Sequence, residues 1–379
     1  METRCLPPIR DRVSLLGFGT MRYPMVGDEI DRETLRAMFD LAMDQGVTYY
    51  DTAYVYHGGQ SESCVGELLV DRYPRDQFYL ADKMPGWKLP EAATAQDMIG
   101  IFQEQLQRLH TDHIDFYLIH SLDGEAWRKL LEQGVLDFIQ WLRNSGAITY
   151  LGFSFHDAPE QLYPILSAVQ WDFAQIQLNY YDWHGQQNAE SQYNILTEAG
   201  LPVVVMEPIR GGALATLPPQ AQACLDQAGL TSGAAAALRW AASKENVLTV
   251  LSGMSSLEQM AENCATFHSF RPLLDPEYQA IEAALEILNA QDFVACTGCR
   301  YCVDECPQGI DISKALKAKN EYLSFQNAAS LANYQRLIQP GRHPKDCRNC
   351  GACARVCPQG LDIPKELATF AAELREKLG

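Results

Sequence analysis

Eight of the twelve cysteines fall in two runs near the end of the chain, and their spacing is the plainest chemistry in it. Cys296, Cys299, Cys302 and Cys306 follow C-x2-C-x2-C-x3-C-P, and Cys347, Cys350, Cys353 and Cys357 repeat it. A cubane of four irons and four sulfides needs four thiolates around one small volume. The x2 spacing wraps three of them around one side, and the fourth comes from elsewhere in space. In paired runs of this kind the Cys before Pro ligates the other cluster. That pattern groups Cys296, Cys299 and Cys302 with Cys357, and Cys347, Cys350 and Cys353 with Cys306. The insert of about 40 residues between the runs exceeds what a minimal two-cluster unit needs, and it leaves that pairing open. Structural zinc sites usually divide four ligands into two separated pairs, so the runs read as two [4Fe-4S] sites. The echo continues in PQGIDI and PQGLDI, which makes the tail an internal duplication. Cys5, Cys64, Cys224 and Cys264 are scattered and read as packing residues or inert thiols.

A second group, Asp51, Tyr56, Lys83 and His120, stands at or just past the ends of three successive strand-like runs. The elements around them alternate regularly. Eight apolar or β-branched runs predict strands: 15–20, 47–53, 78–84, 114–121, 148–156, 173–179, 202–208 and 247–253. Between them lie stretches with 3.6-residue apolar spacing, such as RETLRAMFDLAMDQG and TAQDMIGIFQEQLQRLH. Eight β/α units in about 250 residues predict a closed (β/α)8 TIM barrel, whose active sites lie at the C-terminal ends of the strands. A doubly wound open sheet is the alternative, but no GxGxxG follows the first strand, where GFGT stands instead. The stretch GAAAALRWAAS reads as a packed helix of small residues. Pro272 and Pro276 punctuate a connector into one further helix. The expected organisation is an α/β barrel with its connector over residues 1–290, then a small, mainly helical domain over 291–379 that binds both clusters.

The segments DTAYVYHGGQSE, LADK, YLIHSLD, LGFSFH, QIQLN and GMSSLEQMAEN resemble the aldo-keto reductases in order and spacing across about residues 13–266. With the cysteine runs, the resemblance is to members fused to a ferredoxin-like module. It implies a catalytic tetrad of Asp51, Tyr56, Lys83 and His120. Tyr56 would donate a proton to a carbonyl oxygen, and an adjoining cation is needed because a free phenol with pKa near ~10 is a poor acid. Lys83 would supply that cation, Asp51 would hold it, and His120 would orient the carbonyl oxygen. Read singly, each residue has a structural explanation; together at the right strand ends they read as a site.

The same resemblance implies NADPH or NADH as cofactor. Ser154 and Gln177 match positions at the nicotinamide carboxamide, and Glu262 and Asn263 positions at the adenine. Gly19, Thr20, Asp51, Met206, Glu207, Arg210, Gly253, Met254 and Gln259 complete the expected contacts. Three departures stand out. Phe155 replaces a usual Asn, Met206 an aromatic that stacks on the nicotinamide, and Gln259 an Arg that meets the adenosine 2′-phosphate. Losing that cation opens the site to NADH, with Arg210 as partial compensation. Trp87, Trp127, Tyr180 and Trp183 lie on βα loops and either line an aromatic pocket or pack the loops. His57 and His156 stand beside the proposed site without an assigned role.

Two kinds of function follow. One is an oxidoreductase that reduces an aldehyde or ketone, or oxidises an alcohol, with the clusters as electron carriers or structural supports. The other is a non-catalytic nicotinamide-binding redox sensor or electron-transfer adaptor. Hydride transfer moves two electrons and each cluster one, a mismatch that a flavin ordinarily bridges. The sequence holds no flavin motif, but a bound flavin or an external electron-transfer partner would both resolve it. The net charge of −18 argues against nucleic acid and anionic membrane as partners. Residues 1–290 carry 18 basic against 38 acidic residues, and residues 291–379 carry 12 against 10. No apolar run reaches the roughly 18 residues a membrane span needs, and METRCLPPIRDR lacks a signal-type stretch. A cytoplasmic location is the expectation.

Overall fold

The computed structural model describes the chain except residues 28, 185–187, 290–293, 295, 297–299, 326, 358–359 and 379, and the side chain of Tyr301. All eight expected strands form: β1 (Leu16–Gly19), β2 (Tyr49–Asp51), β3 (Tyr79–Met84), β4 (Ile114–Leu122), β5 (Ile148–Phe155), β6 (Phe173–Gln177), β7 (Val203–Met206) and β8 (Val247–Gly253). Each pairs in parallel with its sequence neighbours, and β8 pairs with β1 to close the barrel. Closure leaves none of these eight strands at an open sheet edge.

The interior is filled by side chains. Tyr49, Phe116, Leu118, Phe173, Val204 and Leu248 form one apolar cluster with Ile9 and Val13. Those last two arrive from the antiparallel hairpin Thr3–Arg4 and Val13–Ser14, which precedes β1. Gly152 makes room for this packing, because a Cβ there would lie 2.6 Å from the Phe173 ring. The helix Arg32–Asp44 shows how the outer layer docks. Asp31 caps it by accepting from the Thr34 amide at 3.0 Å, and Leu35, Met38, Phe39 and Ala42 form its buried stripe. The Ala-rich stretch is the helix Gly233–Ala242, and Ala236, Ala237, Ala241 and Ala242 are buried.

Two compact units divide the chain. One comprises Met1–Gly211 with Ala234–Leu274, and the other Gly212–Gly233 with Asp275–Gly379. Within the second, helices Pro219–Gln227 and Asp275–Asn289 pack on each other. Helices Ile312–Phe325, Ala328–Leu337 and Ile363–Leu378 enclose a core of Ile312, Leu316, Leu331, Ile363, Leu367 and Phe370. The insert between the two cysteine runs is therefore helical, as expected of a mainly helical domain. No helix among the described residues is long and apolar enough to cross a membrane.

Candidate functional site

Strand register sets the site. Gly19, Asp51 and Ala81 are aligned across β1, β2 and β3, and Lys83 lies two residues further along its strand, opposite Leu118 of β4. The two-residue repeat of a strand keeps Ala81 and Lys83 on one face. Lys83 Nζ donates to Asp51 Oδ1 at 2.5 Å, to the Thr52 carbonyl at 2.7 Å, and to Tyr56 Oη at 3.4 Å. Gln175 on β6 donates to the other oxygen of Asp51 at 3.3 Å. Tyr56 opens a short turn after β2, where His57 and Gly58 both take positive φ. Its ring meets that of His120 edge-on at 6.1 Å, and Trp87 meets His120 at 4.9 Å. The structure thus brings together all four expected residues, and Trp87 with them.

Asp51 and Lys83 are almost wholly buried, at 2 % and 1 % exposure. Burial disfavours the ammonium, but Asp51, Tyr56 and Asp82 outweigh it, so Lys83 is held above its ordinary pKa and stays charged. Burial also raises the Tyr56 phenol above its usual value, with Lys83 offsetting part of the rise. The expectation of a cation beside Tyr56 holds, yet its effect here is to limit an upward shift. His120 is pushed well below the usual histidine range by burial, then by Lys83 and His156, which leaves it neutral at pH 7. Its Nδ1 is buried without a hydrogen-bond partner.

A polar layer behind Lys83 escaped the sequence reading. Asp82, the strand neighbour facing the other way, accepts from the Lys83 amide at 2.8 Å. Gln105 Nε2 donates to Asp82 at 2.7 Å, to the Lys83 carbonyl at 3.0 Å and to Glu62 at 3.1 Å. Tyr117 donates to Gln105 at 2.6 Å, and Arg108 pairs with Glu62 at 2.8 Å. Burial and the adjacent Glu62 push Asp82 well above the carboxylate range. The signal in the sequence was an acid beside Lys83 in an otherwise apolar strand.

Most residues expected at a cofactor make contacts within the protein. Gly253 and Gly19 face each other in register. Thr20 donates both its amide and hydroxyl to the Asp51 carbonyl at 2.9 Å. Ser154 accepts from the Ser121 amide at 2.6 Å, tying β5 to the end of β4, where Ser121 has φ +55°. Gln177, beside half-buried Met206 in register, donates to Asp182 at 2.7 Å. Asp182 also accepts from Asn179 at 2.8 Å and pairs with Arg210 at 3.3 Å, a buried hub that the sequence did not reveal. Glu207 takes φ +53°, and its carbonyl accepts from Asn179. Met254 is buried and Glu262 exposed, while Asn263 donates to Ser252 at 3.0 Å. Gln259 folds back to accept from the Ser255 amide at 2.8 Å. A cation not singled out beforehand, Arg22, lies over Gly253, where a Cβ would meet its Cγ at 3.1 Å. Its Nη2 would lie 3.5 Å from a Cβ on Gly211.

Of the remaining aromatics, Trp127 packs on Trp171, Tyr180 is buried against Trp240, and Trp183 packs among Tyr193, Trp240 and Lys244. His57 stacks on Tyr23 at 4.6 Å.

In the second unit Cys306, Cys347, Cys350 and Cys353 line one small hollow, walled by Ile312, Pro364 and Leu367. This is the cross-run grouping that the paired pattern suggested. Burial raises the Cys353 thiol, and its neighbours Cys347 and Cys306 add to the rise. The Asn349 amide donates to Cys347 Sγ at 3.4 Å. Cys302 is buried, and Cys296 and Cys357 are half-buried against the same apolar core. Cys299 lies outside the described residues. The duplication extends to the backbone: Arg300 and Gly351, at matching positions, take φ +67° and +71°, and Gly309 and Gly360 take +66° and +64°. The short helices Tyr301–Asp304 and Ala352–Arg355 pack together. Among the described residues no three His, Cys, Asp or Glu side chains converge as ligands of a single ion. Thiols spread around a hollow suit a cubane, whose corners each take one thiolate, better than one zinc at ~2.3 Å from every sulfur.

Comparison with known proteins agrees with both halves. The aldo/keto reductase family model matches residues 15–286, and a 4Fe-4S dicluster domain model matches 295–361. An L-galactose dehydrogenase from Arabidopsis thaliana is 24% identical over 76% of this chain and 95% of its own length. A methylglyoxal reductase from Escherichia coli is 34% identical over 32% of this chain and 43% of its own. An aldo-keto reductase from Bacillus halodurans, solved in its holo form, superposes with a TM-score of 0.62 at 24% identity. That match covers 75% of this chain and 96% of that one.

Proposed function

The chain belongs to the aldo/keto reductase family and carries a C-terminal 4Fe-4S dicluster domain, and from that premise we propose a nicotinamide-dependent carbonyl reductase whose proton donor is Tyr56. The observation that carries this reading is the unbroken chain of contacts from Asp51 through Lys83 to Tyr56, with neutral His120 alongside. A bound nicotinamide supplies the hydride to the carbonyl carbon. Tyr56 gives its phenolic proton to the carbonyl oxygen as charge develops there, and the alcohol leaves with both hydrogens. Lys83 stabilises the phenolate left behind, and Asp51 keeps Lys83 charged and aimed. His120 holds the carbonyl oxygen, and its unpartnered Nδ1 fits a site completed by a ligand. Run backwards, the same groups oxidise an alcohol.

NADPH and NADH both fit the reading. Gln259 carries no charge, so charge-assisted recognition of a 2′-phosphate would rest on Arg22 and Arg210. The eight cysteines would hold two [4Fe-4S] clusters in residues 291–379, with residues 1–290 as the catalytic part. The clusters would act as one-electron carriers for an external partner or brace the domain, and a flavin remains a compatible bridge. Oxidation of NADPH and NADH by the reconstituted protein, followed anaerobically over a panel of aldehydes and ketones, tests the proposal. Turnover with at least one carbonyl is expected. Tight nucleotide binding with no turnover on any of them would favour the sensor reading instead.

A further inference from the structure

The two cysteine repeats have diverged in charge. Asp304 and Glu305 of the first correspond to Arg355 and Val356 of the second, and Thr297 to Arg348. In the first repeat Arg300 pairs with Asp311 at 3.4 Å. Around the second, Arg342, Lys345, Arg348 and Arg355 are exposed, and none has an acidic partner among the described residues. Three of them surround the hollow lined by Cys306, Cys347, Cys350 and Cys353. Arg348 lines it directly. Arg355 reaches within 3.8 Å of where a Cβ would stand on Gly351, which also lines it. Arg342 lies 3.3 Å from a Cβ placed on Gly309, next to the lining residue Gln308. Cys350 itself is exposed.

Cations that served only to offset a cluster's own charge would be needed equally by both repeats, and here they gather at one. Four unpaired cations in a chain of net charge −18 form a local field of opposite sign, which is a device for steering a partner to one spot. We infer that the face of the second repeat, marked by Arg342, Arg348 and Arg355 around exposed Cys350, docks a small acidic protein carrying a one-electron centre. The inference rests on the reading that this hollow holds a cluster. One electron crosses per encounter, lost by one centre and gained by the other, with no bond made or broken. Nucleic acid or an anionic membrane, being extended polyanions, would be repelled by the acidic remainder of the chain.

The test uses the full-length, cluster-loaded protein and an acidic flavodoxin as probe, with basic cytochrome c and phosphatidylglycerol vesicles as controls. Binding is measured by calorimetry from about 20 to 300 mM salt, a range over which exposed charges pass from weak to strong screening. Expected are flavodoxin binding that weakens at least about tenfold over that range, and a further loss of about tenfold for Arg348→Glu with Arg355→Glu. Arg300→Glu, in the first repeat, should leave the affinity unchanged. Flavodoxin binding indifferent to salt and to the reversals would overturn the inference, as would tighter binding of cytochrome c or of vesicles. Iron and acid-labile sulfide are assayed on every sample. Absence of the clusters in the reconstituted wild type would sink the underlying reading; clusters present with indifferent binding would sink only the docking surface.

Discussion

Removing the Lys83 charge should expose how much of the rate it carries, provided the buried Asp51 is dealt with at the same time. At 3.4 Å and an effective dielectric of ~20, the ammonium favours a Tyr56 phenolate by about 5 kcal/mol. Asp51 opposes it. With Nζ 2.5 Å from Asp51 and 3.4 Å from Tyr56, the carboxylate oxygen is at most about 6 Å from the phenol, which costs at least about 3 kcal/mol. The pair together is therefore worth up to about 2 kcal/mol, so Asp51→Asn with Lys83→Met should slow carbonyl reduction by up to about 30-fold. Lys83→Met alone behaves differently. It strands a buried carboxylate, which costs about 3–5 kcal/mol of stability, while the double variant should unfold within about 1 kcal/mol of wild type. Where Asp51 takes up a proton the single and double variants should converge in rate. At pH values where it is ionised the single variant should fall up to about 100-fold further. The assays are kcat/KM for NADPH-dependent reduction across pH 5–9 and urea midpoints for all forms. A double variant as fast as wild type, or slower than the single one at high pH, would refute the electrostatic argument.

Four further outcomes follow from the geometry. Gln105→Leu leaves Asp82, Glu62 and Tyr117 short of partners and should cost about 2–4 kcal/mol in a urea titration. Asp82 is held above its unfolded pKa, so the folded state binds the extra proton and stability should fall as pH rises from about 4 through the folded value; Asp82→Asn should flatten that slope. Arg22→Ala should raise KM for NADPH about 10- to 100-fold with kcat unchanged, because a charge-assisted phosphate contact acts on binding. If Cys306 and Cys350 share a cluster, changing both to Ala should leave about four of about eight irons per chain, whereas ligation within each run predicts loss of both clusters.

The barrel was legible because its strands are buried on both faces and so read as continuous apolar or β-branched runs, even where only Tyr49–Asp51 is paired in β2. Asp51, Tyr56, Lys83 and His120 were legible because they stand, in order and spacing that resemble a known family, at or just past the ends of successive runs. The layer behind them was not. Gln105 comes from one helix, Glu62 from the short helix Ser61–Val65, and Asp82 from β3, so their convergence exists only in the folded chain. Asp182 and Arg22 escaped for the same reason, as loop residues whose direction no periodicity sets. The pairing of Cys306 with the second run was open in the sequence, since the helices of the insert decide whether the two runs meet.

Tyr56→Phe probes the proposed chemistry with one atom. In a single-turnover experiment, NADPH-loaded protein is mixed anaerobically with a carbonyl that the wild type reduces, and hydride transfer is followed by loss of nicotinamide absorbance. Removal of the phenolic proton should slow that step by about 10²- to 10⁴-fold while leaving the Kd for NADPH and the cluster content as in wild type. A Tyr56→Phe protein that transfers hydride at the wild-type rate would contradict the assignment of Tyr56 as proton donor, and with it the proposed mechanism.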